Sequence, residues 1–226
     1  MFRSLRVGLV AGALVLASVV ASASASSTNP APHAGHVDQA SKASASAFRA
    51  EMRRLWEEHI VWTRQYIVSA ATLDEDLPDI GPTANRLFAN QADIGAAIVP
   101  FYGQAAGDAL AALLTDHIAI AAEAISQAKA GDDAALQDAL DRWYGNADDI
   151  AAFLAAANPE YWPFNEMSTH MRDHLDLTLT EAVSRLTGDY AADIAAYDQI
   201  HAQILSMADM LSDGIIGQFP RRFSGS

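Results

Sequence analysis

From Phe48 onward the apolar side chains return at alternating steps of four and three residues. Phe48, Met52, Leu55, His59, Trp62 and Tyr66 fall on one line, the spacing of a helix that lays one face on a core. The rhythm fades near Ala71, in an acidic loop around Asp74-Glu75-Asp76, and then resumes. A second helix is predicted from near Pro82, with Leu87, Asn90, Ile94 and Ile98 inward, ending at Pro100 or Gly103. A third, from about Gln104 to Lys129, turns Leu110, Leu113, His117, Ala121 and Ala124 inward. After Gly131, with Asp132 or Asp133 as N-cap, a fourth carries Leu136, Leu140, Trp143, Asn146, Ile150 and Phe153 as far as Asn158-Pro159. Beyond Trp162-Pro163 a fifth has Met167, Met171, His174 and Thr178 on one side until Gly188 breaks it. The last follows Tyr190, Ile194, Tyr197, His201, Ile204, Ala208, Leu211 and Ile215. No stretch reads convincingly as a strand. The expected fold class is all-α, an up-down bundle of about six helices.

Polar residues sit on these seams, and they recur. Glu58-His59-Ile60, Asp116-His117-Ile118 and Asp173-His174-Leu175 are spaced by 58 and 57 residues. Arg86-x-x-x-Asn90-x-x-Asp93-Ile94 returns as Arg142-x-x-x-Asn146-x-x-Asp149-Ile150, about thirty residues after each histidine. A fixed long period of this kind marks a repeated structural unit. We read three helical hairpins of roughly 57 residues, the third shortened and diverged.

In an antiparallel hairpin, residues equally far from the turn lie at the same height. That rule sets His59 opposite Asn90/Asp93, His117 opposite Asn146/Asp149, and His174 opposite His201. Buried polar groups left unpaired cost about 1–3 kcal/mol each, so such a layer must satisfy itself or bind something. Three readings follow. The layer is a hydrogen-bond network that fixes helix register, or a metal site, or a pocket for a small ligand or b-type haem. In the metal reading His59, His117, His174 and His201 are the first ligands. Asp93 and Asp149 ligate directly or orient imidazoles, and the ion is iron, zinc, manganese or copper. Asn90, Asn146, Glu58, Trp62 and Trp143 surround it as supporting groups, with Trp62 and Trp143 walling out water or simply filling the core. His170, four residues before His174, is a possible extra ligand, because H-x-x-x-H on a helix can chelate. That spacing occurs in hemerythrin-like and ferritin-like bundles, whose remaining ligand motifs are missing from this chain.

Composition narrows the classes. The chain has 226 residues, no cysteine and a formal net charge of −14. So acidic a protein repels phosphate backbones, which argues against nucleic acid as partner; a metal ion or small molecule is the compatible one. Without cysteine there is no disulfide, covalent c-type haem or zinc-finger cage. No G-x-S-x-G elbow, phosphate-binding loop or G-x-G-x-x-G is present, and the pattern leaves any reaction open. Residues 1–25 read as a secretory signal, with Arg3 and Arg6, an apolar run from Val7 to Val20, then Ala-Ser-Ala-Ser-Ala. Its removal takes the net charge to −16 and leaves no stable membrane insertion, so an exported protein, periplasmic or extracellular, is expected. Residues 26–46 read as a disordered tether, 47–217 as the bundle, and 218–226 as a frayed basic tail. The rival functional class is a non-enzymatic structural or stress-related envelope protein whose polar layer only sets register.

Four stretches carry a family resemblance. They are Leu55-Trp-Glu-Glu-His-Ile-Val-Trp-Thr-Arg64, Asn90-Gln-Ala-Asp-Ile-Gly95, Arg142-Trp-Tyr-Gly-Asn-Ala-Asp-Asp-Ile150 and Met207-Ala-Asp-Met-Leu-Ser-Asp-Gly-Ile-Ile216. Together they resemble a group of exported, all-helical bacterial proteins of about this length, over roughly Leu55 to Pro220. The resemblance implies the helical fold and export, and implies no activity.

Overall fold

A computed structural model describes residues 34–72 and 75–224, with side chains from residue 44 onward. The expected signal, 1–25, lies outside the described residues. Six long helices follow one another: α1 Ala34–Ala70, α2 Ile80–Tyr102, α3 Gln104–Ala130, α4 Asp133–Ala157, α5 Phe164–Leu186 and α6 Tyr190–Gln218, with a short α7 at Pro220–Phe223. No strand occurs among the described residues. The protein is an all-α helical bundle.

The ends fall where the local chemistry puts them. Gly103, Gly131 and Gly188 take φ of 85°, 70° and 78°, the left-handed region that glycine enters without a Cβ clash. The Asp132 and Asp189 carboxylates accept from Ala135 N–H and Ala192 N–H at 3.0 Å and cap α4 and α6. At two places the chain departs from expectation. Helix α1 starts at Ala34, inside the stretch expected as tether, because its Ala, Gln and Lys residues favour helix and no proline interrupts them. The tail expected to fray instead forms α7, with Pro220 in its first turn. Its Phe223 is buried against Phe48 and Phe101, ring centres 5.4 and 5.6 Å away.

Each helix packs on the next, and α6 returns to α1, so the six close into a ring. The hairpins α1–α2, α3–α4 and α5–α6 are its three sectors. Helix α1 also meets α3 and α5 across the middle, which places the histidine-bearing helices toward the axis. The core along that axis is built from Leu55, Ile60, Leu114, Ile150, Leu175 and Ile204, each at most 2 % exposed. Helix α3 is long and apolar enough to cross a membrane, by length and composition only; here it lies in the ring between α2 and α4.

Candidate functional site

His59, His117 and His174, from α1, α3 and α5, meet in the middle of the bundle. All three are buried, at 2 %, 2 % and 3 % exposure. The His174 ring lies between the other two, 5.8 Å from that of His59 and 6.4 Å from that of His117. Trp56 packs on His59 at 5.8 Å and Trp143 on His117 at 5.4 Å.

One hydrogen-bond arrangement serves all three histidines. His59 Nδ1 lies 3.2 Å from Gln91 Oε1, His117 Nδ1 2.9 Å from Asn146 Oδ1, and His174 Nδ1 3.2 Å from Gln203 Oε1. Each partner stands on the other helix of the same hairpin. The amide nitrogens are engaged too. Asn146 Nδ2 donates to Leu113 O at 3.1 Å and Gln203 Nε2 to His170 O at 3.0 Å, in each case the carbonyl one turn before the histidine. In the first hairpin two residues share this work. Asn90 Nδ2 donates to Leu55 O at 3.0 Å, and Gln91 Nε2 to Leu87 O at 2.8 Å. These donations fix which way each amide faces, so its oxygen meets the ring and Nδ1 carries the hydrogen. Nε2 keeps its lone pair on all three rings.

Burial holds the rings neutral. It pushes His174 down to about 4. His117 goes to about 3, through burial first and the charge of His174 second. His59 goes well below the usual range, through burial and then the charges of His174 and His117. Unlike charge is absent from these causes: no carboxylate acts on the layer.

Several expected members are elsewhere. His201 is half exposed and its Nε2 is 2.8 Å from Glu57 on the surface. Asp93 is exposed, its carboxylate 4.0 Å from Arg86; Asp149 is exposed as well. Glu58 pairs with Arg54 and with Arg86 at 2.7 Å. Trp62 lies under the Arg86 guanidinium, outside the layer. His170 contributes its backbone carbonyl. The structure thus brings together His59, His117, His174, Asn90, Asn146 and Trp143, adds Gln91, Gln203 and Trp56, and sets His201, Asp93, Asp149, Glu58 and Trp62 apart. Gln91 is the immediate neighbour of Asn90, and only the face it occupies separates it from the residues singled out by height.

The layer lies between two apolar voids. A cavity of about 70 Å³ is walled by residues one and two turns beyond the histidines, Thr63 and Ile67, Ala121 and Ile125, Thr178 and Ala182. On the other side a void of about 20 Å³ is lined by Met52, Trp56, Met171 and Met207, among others. The indole Nε1 groups of Trp56 and Trp143 are buried and have no acceptor. Each such donor costs about 1–3 kcal/mol, so the polar groups of this region do not complete one another. Among the described residues no group of three or more His, Cys, Asp or Glu side chains is placed so that it could hold a metal ion. With metal–nitrogen bonds of about 2.0–2.1 Å, imidazoles sharing one ion have ring centres roughly 5 to 6.5 Å apart, rising as the angle at the ion opens. The two spacings to His174 stand at the wide end of that range, so each suits a pair of rings, and one ion held by all three would require the rings to draw together.

A second polar group, unforeseen in the sequence, lies nearer the turns of the hairpins. Arg64 Nη1 donates to Glu181 Oε1 at 2.5 Å and to Asp193 Oδ1 at 2.7 Å, and both carboxylates are 1 % exposed. Burial pushes Glu181 up to about 7 while Arg64 pulls it down.

Compared with known protein families, curated proteins and solved structures, the chain matches none.

Proposed function

We propose that this is an exported metal-binding protein whose His59, His117 and His174 hold one transition-metal ion at the centre of the helical ring. A single observation carries the reading: every imidazole is fixed by its Nδ1–H to a side-chain amide, and the Nε2 lone pairs are left without that restraint. Metal-ligating histidines are oriented in the same manner, by a hydrogen bond from the nitrogen that does not bind. Burial keeps the rings neutral, the ligating form. Gln91, Asn146 and Gln203 orient the ligands, and Trp56 and Trp143 shield them from water. Imidazole nitrogen suits zinc, copper and iron more than magnesium or calcium. Export rests on the two arginines, apolar run and Ala-Ser-Ala sequence of residues 1–25.

A register-fixing role is the second reading, and the amide-to-carbonyl bonds that tie each hairpin together favour it. The two indole donors without acceptors favour neither reading, because a cation supplies no lone pair to an N–H group.

Untagged protein recovered from its own export route, analysed for metals, is expected to carry about one equivalent per chain. The metal-stripped chain should gain about 2.7 kcal/mol of stability at a metal concentration a hundred times Kd. His174→Gln should abolish that gain. No metal above trace, with a melting temperature unmoved by Zn²⁺, Cu²⁺, Fe²⁺ or Mn²⁺ and by Cu⁺ under argon, would sink the proposal and leave the register role.

A further inference from the structure

We infer that the cavity on the turn side of the histidine layer binds the unbranched alkyl chain of a small amphiphile with an uncharged head; the inference goes beyond the metal-binding reading and uses none of its imidazoles.

The first argument is the wall. Among the described residues that line the cavity none is charged and none is a histidine. Its two threonine hydroxyls are engaged with the backbone: Thr63 Oγ1 donates to His59 O and Thr178 Oγ1 to His174 O, both at 2.8 Å. Water needs two to four polar partners and is poorly served by such a wall, whereas hydrocarbon is well served. The space arises because α3 presents Ala121, Ala124 and Ala128 there and α5 presents Ala182. Beyond the layer the same two helices present Leu110 and Met171, and the void is only about 20 Å³. Unfilled apolar space costs stability in proportion to its volume, and an entering alkyl chain removes that cost.

The second argument is shape. The wall runs from Ile118 to Ala128 along α3 and from Thr178 to Leu186 along α5, about 15 Å and about 12 Å of helix. A volume of about 70 Å³ drawn out over that length is narrow, since even benzene takes a cavity of about 150 Å³. A linear chain fits it; a ring or a haem does not. The third argument is the mouth. Ile118, Trp143 and Thr178 close the inner end and are buried, while at the other end Ala128 and Leu186 are partly exposed and Val183 is 47 % exposed. The cavity therefore opens toward the Gly131 and Gly188 turns. The cations nearest that end in sequence are already engaged. Lys129 Nζ lies 2.7 Å from Asp76 and donates to Ala70 O at 3.2 Å; Arg185 covers the Tyr190 ring and lies 3.5 Å from Asp193. On a chain of net charge −14, such a mouth receives an uncharged head better than a carboxylate or phosphate.

The test is a calorimetric titration of the mature, metal-free chain at pH 7.5 with 1-octanol, beside the same titrations with cyclooctanol and with octanoate. The expected result is one 1-octanol per chain, with the negative heat-capacity change of apolar burial, bound at least tenfold more tightly than either of the others. Ala121→Leu puts a larger side chain into the cavity; it should weaken 1-octanol at least tenfold and leave the melting temperature equal or higher. No saturable heat and no rise in melting temperature up to the solubility limit of 1-octanol overturns the site. Undiminished binding to folded Ala121→Leu places the alcohol elsewhere and overturns it too. Cyclooctanol bound as tightly overturns the linear shape, and octanoate bound as tightly overturns the uncharged head. The comparison of ligands uses the unaltered chain without metal, so it decides the matter whether or not Ala121→Leu folds and whether or not the histidine layer takes an ion.

Discussion

His117 shows what one side chain contributes here. It is a base buried among apolar groups, bonded once to Asn146 and packed on Trp143. Because its folded pKa lies below the unfolded value of about 6.5, the unfolded chain takes up the proton more readily. The histidine contribution to stability is therefore complete above pH 6.5 and is lost as pH falls toward about 4 and 3, where His174 and His117 titrate in the fold. At pH 5 each depressed histidine costs about 2 kcal/mol. Glu181, pushed up by burial, acts in the opposite sense between about 4.5 and 7, but it is one group against three. Urea midpoints measured from pH 8 to pH 5 should fall steadily below pH 6.5; a flat profile would show the rings to be solvated. Asn146→Leu should destabilise the protein by roughly 2–3 kcal/mol, since it strands His117 Nδ1–H and the Leu113 carbonyl together. Denaturant unfolding measures that directly.

Element by element, much of the molecule was legible, and the misses have two causes. The three histidines and Asn90 and Asn146 were visible because they recur at a fixed period, and the helix ends because glycine and aspartate mark them. Height in a hairpin says nothing about face, and adjacent residues differ by about 100° round the helix; so Asp93 was preferred where Gln91 faces inward. In α6 the apolar line through Tyr190, Ile194, Tyr197 and His201 was one residue off. The buried line is Asp193, Ala196, Ile200 and Ile204, because Arg64 draws Asp193 inward. Hydropathy cannot register an element whose inner face begins with a buried ion pair. The α2–α3 contact depends on an absence of side chains. A Cβ on Gly95 would stand 2.5 Å from the Gly107 carbonyl oxygen and 2.8 Å from Ala111 Cβ. Gly95→Ala, which helix propensity alone would favour by up to about 1 kcal/mol, should instead destabilise by about 1–3 kcal/mol, read as a lowered urea midpoint with unchanged m-value.

At the scale of the whole molecule, stability and site have a common origin. Each hairpin supplies one imidazole from its inner helix and the restraining amide from its outer one, so the centre exists only when all three sectors are assembled. The buried Arg64 pair bridges the first and third sectors, and the aromatic cluster of Phe48, Phe101, Phe219 and Phe223 closes the opposite end.

The ring has no privileged starting point. Helices α1 and α6 pack as any two neighbours do, and Phe48, near the beginning of the packed part of α1, lies within 5.4 Å of Phe223, near the end of the chain. Residues 47 and 224 can therefore be tied by a few glycines and serines, and the chain reopened at the exposed Gly131 turn. Such a circular permutant should fold to the same helical content, melt cooperatively, and retain the site, because no hairpin partner in the histidine layer depends on which sector is made first.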